Sequence, residues 1–399
     1  MGENCRMENY KIAIYIIAIL LCIVMMRTKT TAFKRLLLVA VFGLILYLMA
    51  NFSLYNWDNS NYRDIFLHLE NYRNGKTEPA YYFFNFIIGR LGVDYLVYRY
   101  IFIGTFLFIL TISVSQITDN YGLFFLIYLL YPMFKDAEQL RMFAATSIVF
   151  WGIKYLYKDK NILKFIIIIF IAYLFHSSSP IFLMFLIFMV PDQYKKKVRN
   201  WLVIIVATLS ALALLRRDLF TNIITALLKN ANSTKANQYI GLASRSAFLV
   251  PLALFILNYL IVTYIYKSVE YQENTEQIPY KKWTIGKYGG SVILSRSIRY
   301  VGFDNISYIF DMIALSAIFT LPFIMMSLHF YRIGRSIFLF CLAFISKGIK
   351  SLDRSGKIIV AFGLLLLIIG YYWFDFVIFG RWELNYFPLF MKYYLFYVW

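Results

Sequence analysis

The stretch IAIYIIAILLCIVMM, residues 12–26, contains no charged side chain, and RTKTTAFKR, residues 27–35, follows it with four basic ones. An apolar run closed by a basic cluster is typical of a membrane span that ends in the cytoplasm. A secretory signal peptide would carry a small-residue cleavage site where these lysines and arginines stand. We therefore expect residues 12–26 to form an uncleaved first span.

The same apolar character extends along the whole chain of 399 residues, of which 61% are hydrophobic and only 15% charged. Soluble domains contain roughly 25% charged residues. At about 20 residues per crossing, this content suffices for about twelve spans and leaves little for a separate soluble domain. We predict an all-α polytopic integral membrane protein that forms a single domain over residues 1–399. The candidate spans are residues 11–26, 36–50, 96–116, 121–134, 138–155, 162–175, 179–190, 201–215, 247–266, 306–328, 334–347 and 357–378.

One further apolar stretch, Ala80 to Leu91, is too short for a span and is followed closely by Gly92 and Asp94. Counting it as a span would place the basic residues of 154–164 outside the cell, against the positive-inside rule. We predict a short re-entrant or interfacial helix there.

The formal net charge of +19 would suggest a nucleic-acid partner in a soluble protein. Here the basic residues concentrate in short loops, which is what the positive-inside rule requires, and we expect no nucleic acid. With 27–35, 154–164, 195–199, 347–357 and the long loop 267–300 in the cytoplasm, both termini lie outside. The outer face then receives residues 51–95, 135–141, 176–179, 216–246 and 329–335.

Several enzyme classes have no support in this sequence. No CxxC, HExxH, GxxxxGK[ST] or GxSxG motif occurs, so zinc sites, P-loops and serine hydrolases are not indicated. We expect no cofactor and no metal.

Polar residues next to hydrocarbon cost free energy unless they face a cavity or a partner, so those on the predicted outer face are the candidates for function. Each also has a structural alternative: an interfacial aromatic belt, an acidic helix cap, a snorkelling arginine or an interfacial histidine. The candidates are Trp57, Asp58 and Tyr62 after the second span, Glu78 and Tyr81 in EPAYY (78–82), Arg141, His176 and Arg332.

These residue types fit an anionic ligand and a proton transfer. The guanidinium groups of Arg141 and Arg332 stay charged, and each can hold two phosphate oxygens of a diphosphate. The imidazole of His176 can exchange a proton near neutral pH. The segment 219–228 has the spacing of an amphipathic surface helix, which is either a plain anchor or the roof of a cleft.

The order of these features resembles the EpsG family of Wzy-like bacterial polysaccharide polymerases. The resemblance covers roughly residues 10–395 and is densest from 55 to 190. Two positions depart from the family pattern: Ala80 stands where the family has Gly, and Met142 follows Arg141 where the family has Gln. The motifs that carry the resemblance are Asp58 with Tyr62, Glu78-Pro79-Ala80-Tyr81, Arg141, His176-Ser177 and Arg332.

The resemblance implies a GT-C-like membrane glycosyltransferase of the bacterial cytoplasmic membrane. Such an enzyme joins oligosaccharide repeat units carried on undecaprenyl diphosphate at the outer face, and the product is an O-antigen, a capsule or an exopolysaccharide. Membrane lipids surround it, and a chain-length regulator and a flippase are compatible protein partners.

The implied roles are specific to single residues. Arg141 and Arg332 would hold the diphosphate, and His176 or Glu78 would accept the proton of the attacking hydroxyl. Asp58 would orient one of these bases or the sugar, which Trp57, Tyr62 and Tyr81 would contact.

Three other functions use similar groups. A flippase of the lipid-linked oligosaccharide needs cations at several depths, and a ligase needs nearly the same site as a polymerase. A membrane acyltransferase is the third, although no histidine stands in an evident His-Asp context.

Overall fold

In the part of the chain that the computed structural model describes, every secondary-structure element is helical. The model describes residues 9–54, 57–73, 77–189, 192–215, 222, 248–276, 303–326, 330–378 and 389–390. The α-helices are α1 Asn9–Arg27, α2 Thr31–Ala50, α3 Trp57–Leu67, α4 Pro79–Arg90, α5 Tyr95–Ile117, α6 Tyr121–Leu130, α7 Pro132–Glu138, α8 Leu140–Gly152, α9 Lys154–Tyr157, α10 Ile162–Tyr173, α11 Asp192–Leu215, α12 Leu249–Glu276, α13 Phe303–Ser316, α14 Leu321–Met326, α15 Tyr331–Gly348 and α16 Arg354–Tyr372. Shorter 3₁₀ or π elements are Leu69–Tyr72, Ser179–Met189, Ala317–Thr320, Ile349–Ser351 and Trp373–Ile378.

Five helices in the described ranges are long and apolar enough to cross a membrane. They correspond to five of the predicted runs and support a membrane protein with an all-helical fold. The count of twelve spans and the GT-C-like arrangement stay predictions. The five segments are Tyr10–Arg27, Thr31–Ala50, Tyr95–Ile117, Leu249–Ser268 and Arg354–Asp375.

The other predicted runs are also helical, and some of them are broken into shorter pieces. The run 121–134 divides into α6 and α7 at Tyr131, and Pro132 opens α7. The run 306–328 divides around a 3₁₀ turn that ends before Pro322. Proline cannot donate the intrahelical hydrogen bond, so a helix tends to stop or restart beside it.

The long helices expose large apolar side chains. Leu36 and Val39 on α2 are 63% and 68% exposed, and Ile358 and Phe362 on α16 are 62% and 60% exposed. Such surfaces are unfavourable in water but match the hydrocarbon of a bilayer.

The core of the bundle is built from α8 and α15, whose residues are nearly all buried. Thr146 donates a hydrogen bond to Ser336 at 3.2 Å, and the rings of Phe150 and Phe340 lie 5.2 Å apart. Both contacts join residues with the same separation in sequence, so α8 and α15 run side by side in the same direction. Their N-terminal ends therefore lie at the same level.

The predicted re-entrant or interfacial helix is α4. Pro79 occupies its first turn, where the missing N–H has no helical partner to lose. Gly92 follows its end with φ of 70°, the left-handed conformation that ends many helices. The backbone N–H of Ala80 donates to the carbonyl of Leu174 at 2.9 Å, which attaches the start of α4 to the end of α10.

The segment 135–141, predicted as an outer loop, is helical and almost completely buried. It forms the end of α7 and the start of α8. Its charges are tolerated in the interior because they pair with one another and with neighbouring helices, as described below.

Some predictions fall outside the described residues. These are the loop 216–246 with its amphipathic segment 219–228, apart from Asn222, the loop residues 277–302, and His329.

Candidate functional site

The predicted site residues lie at the starts of several helices. Asp58 and Tyr62 are on α3. Tyr81 is in the first turn of α4, whose N-cap residue is Glu78. Arg141 and Arg332 each occupy the second position of a core helix, α8 and α15 respectively. Because these two helices are parallel and level, the two arginines approach the same region.

Arg141 is held by partners on several sides. Its Nη1 donates to the carboxylate of Glu78 in an ion pair whose side chains are 18% and 11% exposed. The guanidinium carbon lies 5.4 Å from the ring centre of Tyr62 and 5.7 Å from that of Tyr81. These two rings contact each other edge to face at 5.9 Å. The guanidinium is therefore fixed by one carboxylate and two aromatic rings, and its buried Nε has no hydrogen-bond partner.

Glu78 illustrates how tertiary contacts decide the role of a side chain. It is the N-cap residue of α4, but its side chain makes no capping hydrogen bond. The carboxylate turns to Arg141 instead, since a charged partner stabilises a partly buried carboxylate more than a backbone N–H does. The acidic cap suggested by the sequence therefore lacks its hydrogen bond, and the ion pair with Arg141 was not predicted.

Asp58 is partly buried and lies within the field of the same charges. Burial raises the pKa of this carboxyl, Arg332, Arg141 and Lys135 lower it, and Glu138 raises it. The net direction is upward. Asp58, Arg141 and Arg332 thus share one electrostatic environment. We call these three residues, together with Tyr62, Glu78 and Tyr81, the arginine cluster.

Arg332 and Arg335 lie one turn apart on α15. Arg332 is partly exposed and its Nε, which is buried, has no hydrogen-bond partner. Arg335 is 4% exposed and its Nη2 donates to Oε1 of Gln139 at 2.8 Å. Arg332 is therefore the more exposed cation of this pair, and Arg335 is buried and held by Gln139.

The stretch KDAEQLR, residues 135–141, contributes groups that sequence reasoning missed. Lys135 and Glu138 form a buried ion pair at 2.9 Å. Asp136 accepts a hydrogen bond from Tyr128 at 3.0 Å. The charged residues of this stretch lie close together between two apolar runs, and we therefore predicted a segment on the outer face. A membrane protein can nevertheless bury charges that pair with one another.

A tyrosine network continues from this stretch toward the end of α16. The hydroxyls of Tyr131 and Tyr331 lie 3.1 Å apart, and Tyr131 donates to the carboxylate of Asp375. The pair Tyr131 and Tyr371 stacks at 4.7 Å. These contacts hold the start of α15, and hence Arg332, against α7 and the Trp373–Ile378 segment.

His176 lies beside the arginine cluster. Its Nδ1 is 2.8 Å from Oγ of Ser178, and that hydroxyl approaches Sδ of Met142 at 3.7 Å. Met142 adjoins Arg141, so the 176–178 turn packs on the start of α8. The structure therefore brings His176 near Arg141 through Ser178 and Met142, and its direct participation stays a prediction.

The two departures from the family pattern are accommodated. Met142 is a buried packing residue beside Ser178, and the amide that holds an arginine comes from Gln139. Ala80 lies in the first turn of α4 without a special backbone angle. Trp57 opens α3, and its side chain lies outside the described part of the structure.

A His-Asp pair exists that the sequence analysis did not recognise. Nδ1 of His68 is 2.8 Å from Oδ1 of Asp64, one helical turn away, and Tyr72 donates to the other oxygen of Asp64 at 2.5 Å. The i, i+4 spacing was visible in the sequence. The pair is about half exposed and belongs to the opposite end of α3 from Asp58.

The arginine cluster has the chemistry to hold an anion and accept a proton. Two guanidinium groups lie at the N-terminal ends of two parallel helices, where the helix dipoles add positive potential. Carboxylates stand beside them. Among the described residues, no group of three His, Cys, Asp or Glu side chains is arranged to hold a metal ion.

The comparison with known proteins gives one match. The model of the EpsG family matches residues 36–391, which is nearly the whole chain. No curated protein and no solved structure matches.

Proposed function

Because the chain belongs to the EpsG family, we propose that it is a polysaccharide polymerase that joins undecaprenyl-diphosphate-linked oligosaccharide repeat units at the outer face of the bacterial cytoplasmic membrane. The observation that carries this proposal is the arginine cluster. Arg141 and Arg332 open two buried parallel helices at one level, with Asp58 and Glu78 beside them.

The two arginines would bind the diphosphate of the donor. A guanidinium keeps its charge and offers several N–H donors, so the negative charge that grows on the leaving diphosphate is stabilised without reorganisation. Glu78 binds Nη1 of Arg141, and this side chain is 18% exposed, so a ligand would reach the exposed part of the guanidinium. The rings of Tyr62 and Tyr81, which contact each other edge to face, help to hold this guanidinium in place.

The reaction is a displacement at the anomeric carbon. The acceptor hydroxyl oxygen forms the new glycosidic bond, the bond to the phosphate oxygen breaks with its electron pair, and the hydroxyl proton passes to a base. Asp58 is a suitable base because its raised pKa strengthens its basicity relative to an exposed aspartate. His176 is the second candidate, and Glu78 acts chiefly by holding Arg141. Trp57, Tyr62 and Tyr81 would contact the sugars.

The test is the surface-polysaccharide profile of a deletion strain complemented with variants. We expect wild type to restore long chains and Arg141→Ala or Arg332→Ala to leave a single capped repeat unit, while the variant protein is still detected in the membrane. The matched control is Arg90→Ala, since Arg90 also lies over an aromatic ring, that of Phe86 at 4.2 Å, but is outside the cluster. Long chains from both cluster variants would refute the assignment.

The same gel separates the alternatives. Loss of all surface sugar, including the single repeat unit, would indicate a flippase or a ligase. Undecaprenyl-linked polymer that accumulates without transfer to its final acceptor would indicate a ligase specifically.

A further inference from the structure

An apolar cavity in the described part of the structure has no charged side chain in its lining. It has a volume of about 260 Å³ and lies between α11, the start of α12 and the region where α13 meets α14. Its lining is apolar apart from Ser210, whose hydroxyl has no partner. A cavity of this kind stays dry and accepts apolar groups.

A series of packed side chains shows that the cavity lies near the arginine cluster. Leu252 lines the cavity, and Phe255 follows it on α12 by one helical turn. The ring of Phe255 stacks on that of Tyr331 at 6.1 Å, and Tyr331 precedes Arg332. The cavity wall therefore lies on the order of 15 Å from the start of α15.

Gly334 makes this packing possible. A Cβ at Gly334 would lie 2.1 Å from the end of the Phe255 ring. The absence of a side chain lets Phe255 press against α15 within the turn that carries Arg332. A second aromatic contact near the start of α15 joins Phe323 and Phe330, whose ring centres lie 5.8 Å apart.

We propose that this cavity receives a stretch of the polyprenyl tail of the lipid-linked donor, on the order of 15 Å beyond the diphosphate that lies at Arg141 and Arg332. The inference rests on the proposed function. Since an apolar cavity of about 150 Å³ holds one benzene ring, 260 Å³ corresponds to roughly ten carbons, or about two isoprene units of that tail. The occupant is a branched apolar chain attached to a diphosphate, because this molecule carries both a chain that fits an apolar cavity and an anion that fits a pair of arginines.

Shape and not hydrophobicity would make the site selective. Surrounding lipid tails are as apolar as the cavity, so the gain comes from close packing of the methyl-branched chain. Filling the cavity with a side chain should therefore weaken binding of long-tailed donors and spare short ones.

The experiment measures binding to the purified full-length protein in lipid nanodiscs. The probes are radiolabelled undecaprenyl diphosphate and geranyl diphosphate, whose short tail ends before the cavity. The filling variant is Ala207→Phe, and the matched control is Ala211→Phe, an exposed alanine on α11 that does not line the cavity. Ser210→Leu is a second, milder filling variant, and thermal unfolding checks that each variant is folded.

We expect Ala207→Phe to weaken binding of undecaprenyl diphosphate by about tenfold, with geranyl diphosphate unaffected and Ala211→Phe close to wild type. If the two filling variants bind undecaprenyl diphosphate as tightly as wild type does, and geranyl diphosphate likewise, the tail site is overturned. The proposed function would stay intact. Failure of wild type to bind either diphosphate would overturn the proposed function itself.

Discussion

At the scale of single residues, the Glu78–Arg141 pair makes a prediction about stability. Removing one partner of a mostly buried ion pair leaves an uncompensated charge and costs on the order of 3 kcal/mol. We expect Glu78→Gln to lower the thermal midpoint in detergent, and the double variant Glu78→Gln with Arg141→Met to recover part of the loss. Neither variant should make polymer.

The control is the exposed pair Lys350–Asp119, whose side chains are 42% and 71% exposed. Asp119→Asn should leave the thermal midpoint almost unchanged, because water screens such pairs. A double variant less stable than Glu78→Gln alone would show that Arg141 is stabilised chiefly by its aromatic neighbours.

The pKa of Asp58 leads to a second prediction, about pH. Burial raises this pKa, Lys135 lowers it and Glu138 raises it, so activity that needs the ionised carboxylate falls at a higher pH than for an ordinary aspartate. Glu138→Gln should move the acid limb of the pH–rate profile to lower pH, and Lys135→Gln should move it to higher pH. Shifts below about one unit are expected. An acid limb that moves in neither variant but disappears in His176→Gln would identify His176 as the base.

Sequence reasoning identified cluster residues as charges close to apolar runs. Asp58, Glu78, Arg141 and Arg332 were found because a charge beside hydrocarbon needs an explanation. Lys135, Glu138 and Arg335 were not assigned to the site. The run that contains Lys135 and Glu138 also has the composition of a solvated segment, and composition does not show that Arg335 bonds Gln139. Only the three-dimensional pairing shows that these charges are buried together.

At the scale of helices, close packing of α1 and α6 depends on a glycine. A Cβ at Gly122 would lie 2.6 Å from the backbone oxygen of Cys22 and 2.7 Å from the backbone nitrogen of Met26. Backbone atoms cannot move aside as a side chain can, so the two helices would separate. We expect Gly122→Ala to lower the thermal midpoint and the amount of protein in the membrane, by an effect equivalent to about 1–3 kcal/mol.

Gly43 on α2 provides the matched control, because nothing lies within 4 Å of a Cβ built there. Gly43→Ala should be neutral or slightly stabilising, since alanine favours a helix over glycine. Equal stability of the two variants would mean that α1 and α6 can separate at no cost.

Helix positions were predictable from apolar runs, but their interruptions were less so. A run such as 121–134 has uniform composition, and Pro132 was compatible with a kink inside one helix. The structure instead ends α6 at Leu130 and begins α7 at Pro132, which lacks the N–H of a continuous helix. At this break Tyr131 donates to Asp375, and Lys135 in α7 pairs with Glu138. Composition alone predicts neither of these interior contacts.

At the scale of the whole molecule, the membrane frame can be tested with two exposed acidic residues. Glu70 follows α3 in the predicted outer segment, and Asp159 lies in the basic loop 154–164. In a Cys5→Ser background, we expect a membrane-impermeant maleimide to label Glu70→Cys in intact cells. Asp159→Cys should be labelled only after permeabilisation.

The background should stay unlabelled, because Cys22 and Cys341 are completely buried. Labelling of both Glu70→Cys and Asp159→Cys in intact cells would mean that the chain crosses the membrane an even number of times between residues 70 and 159, and not the odd number that we predict. A reversed pattern would place Asp58, Glu78 and Arg141 on the cytoplasmic side, where lipid-linked repeat units are assembled before export. The arginine cluster would then keep its geometry but face the wrong compartment for polymerisation, and a flippase or a cytoplasmic transferase would become the better interpretation.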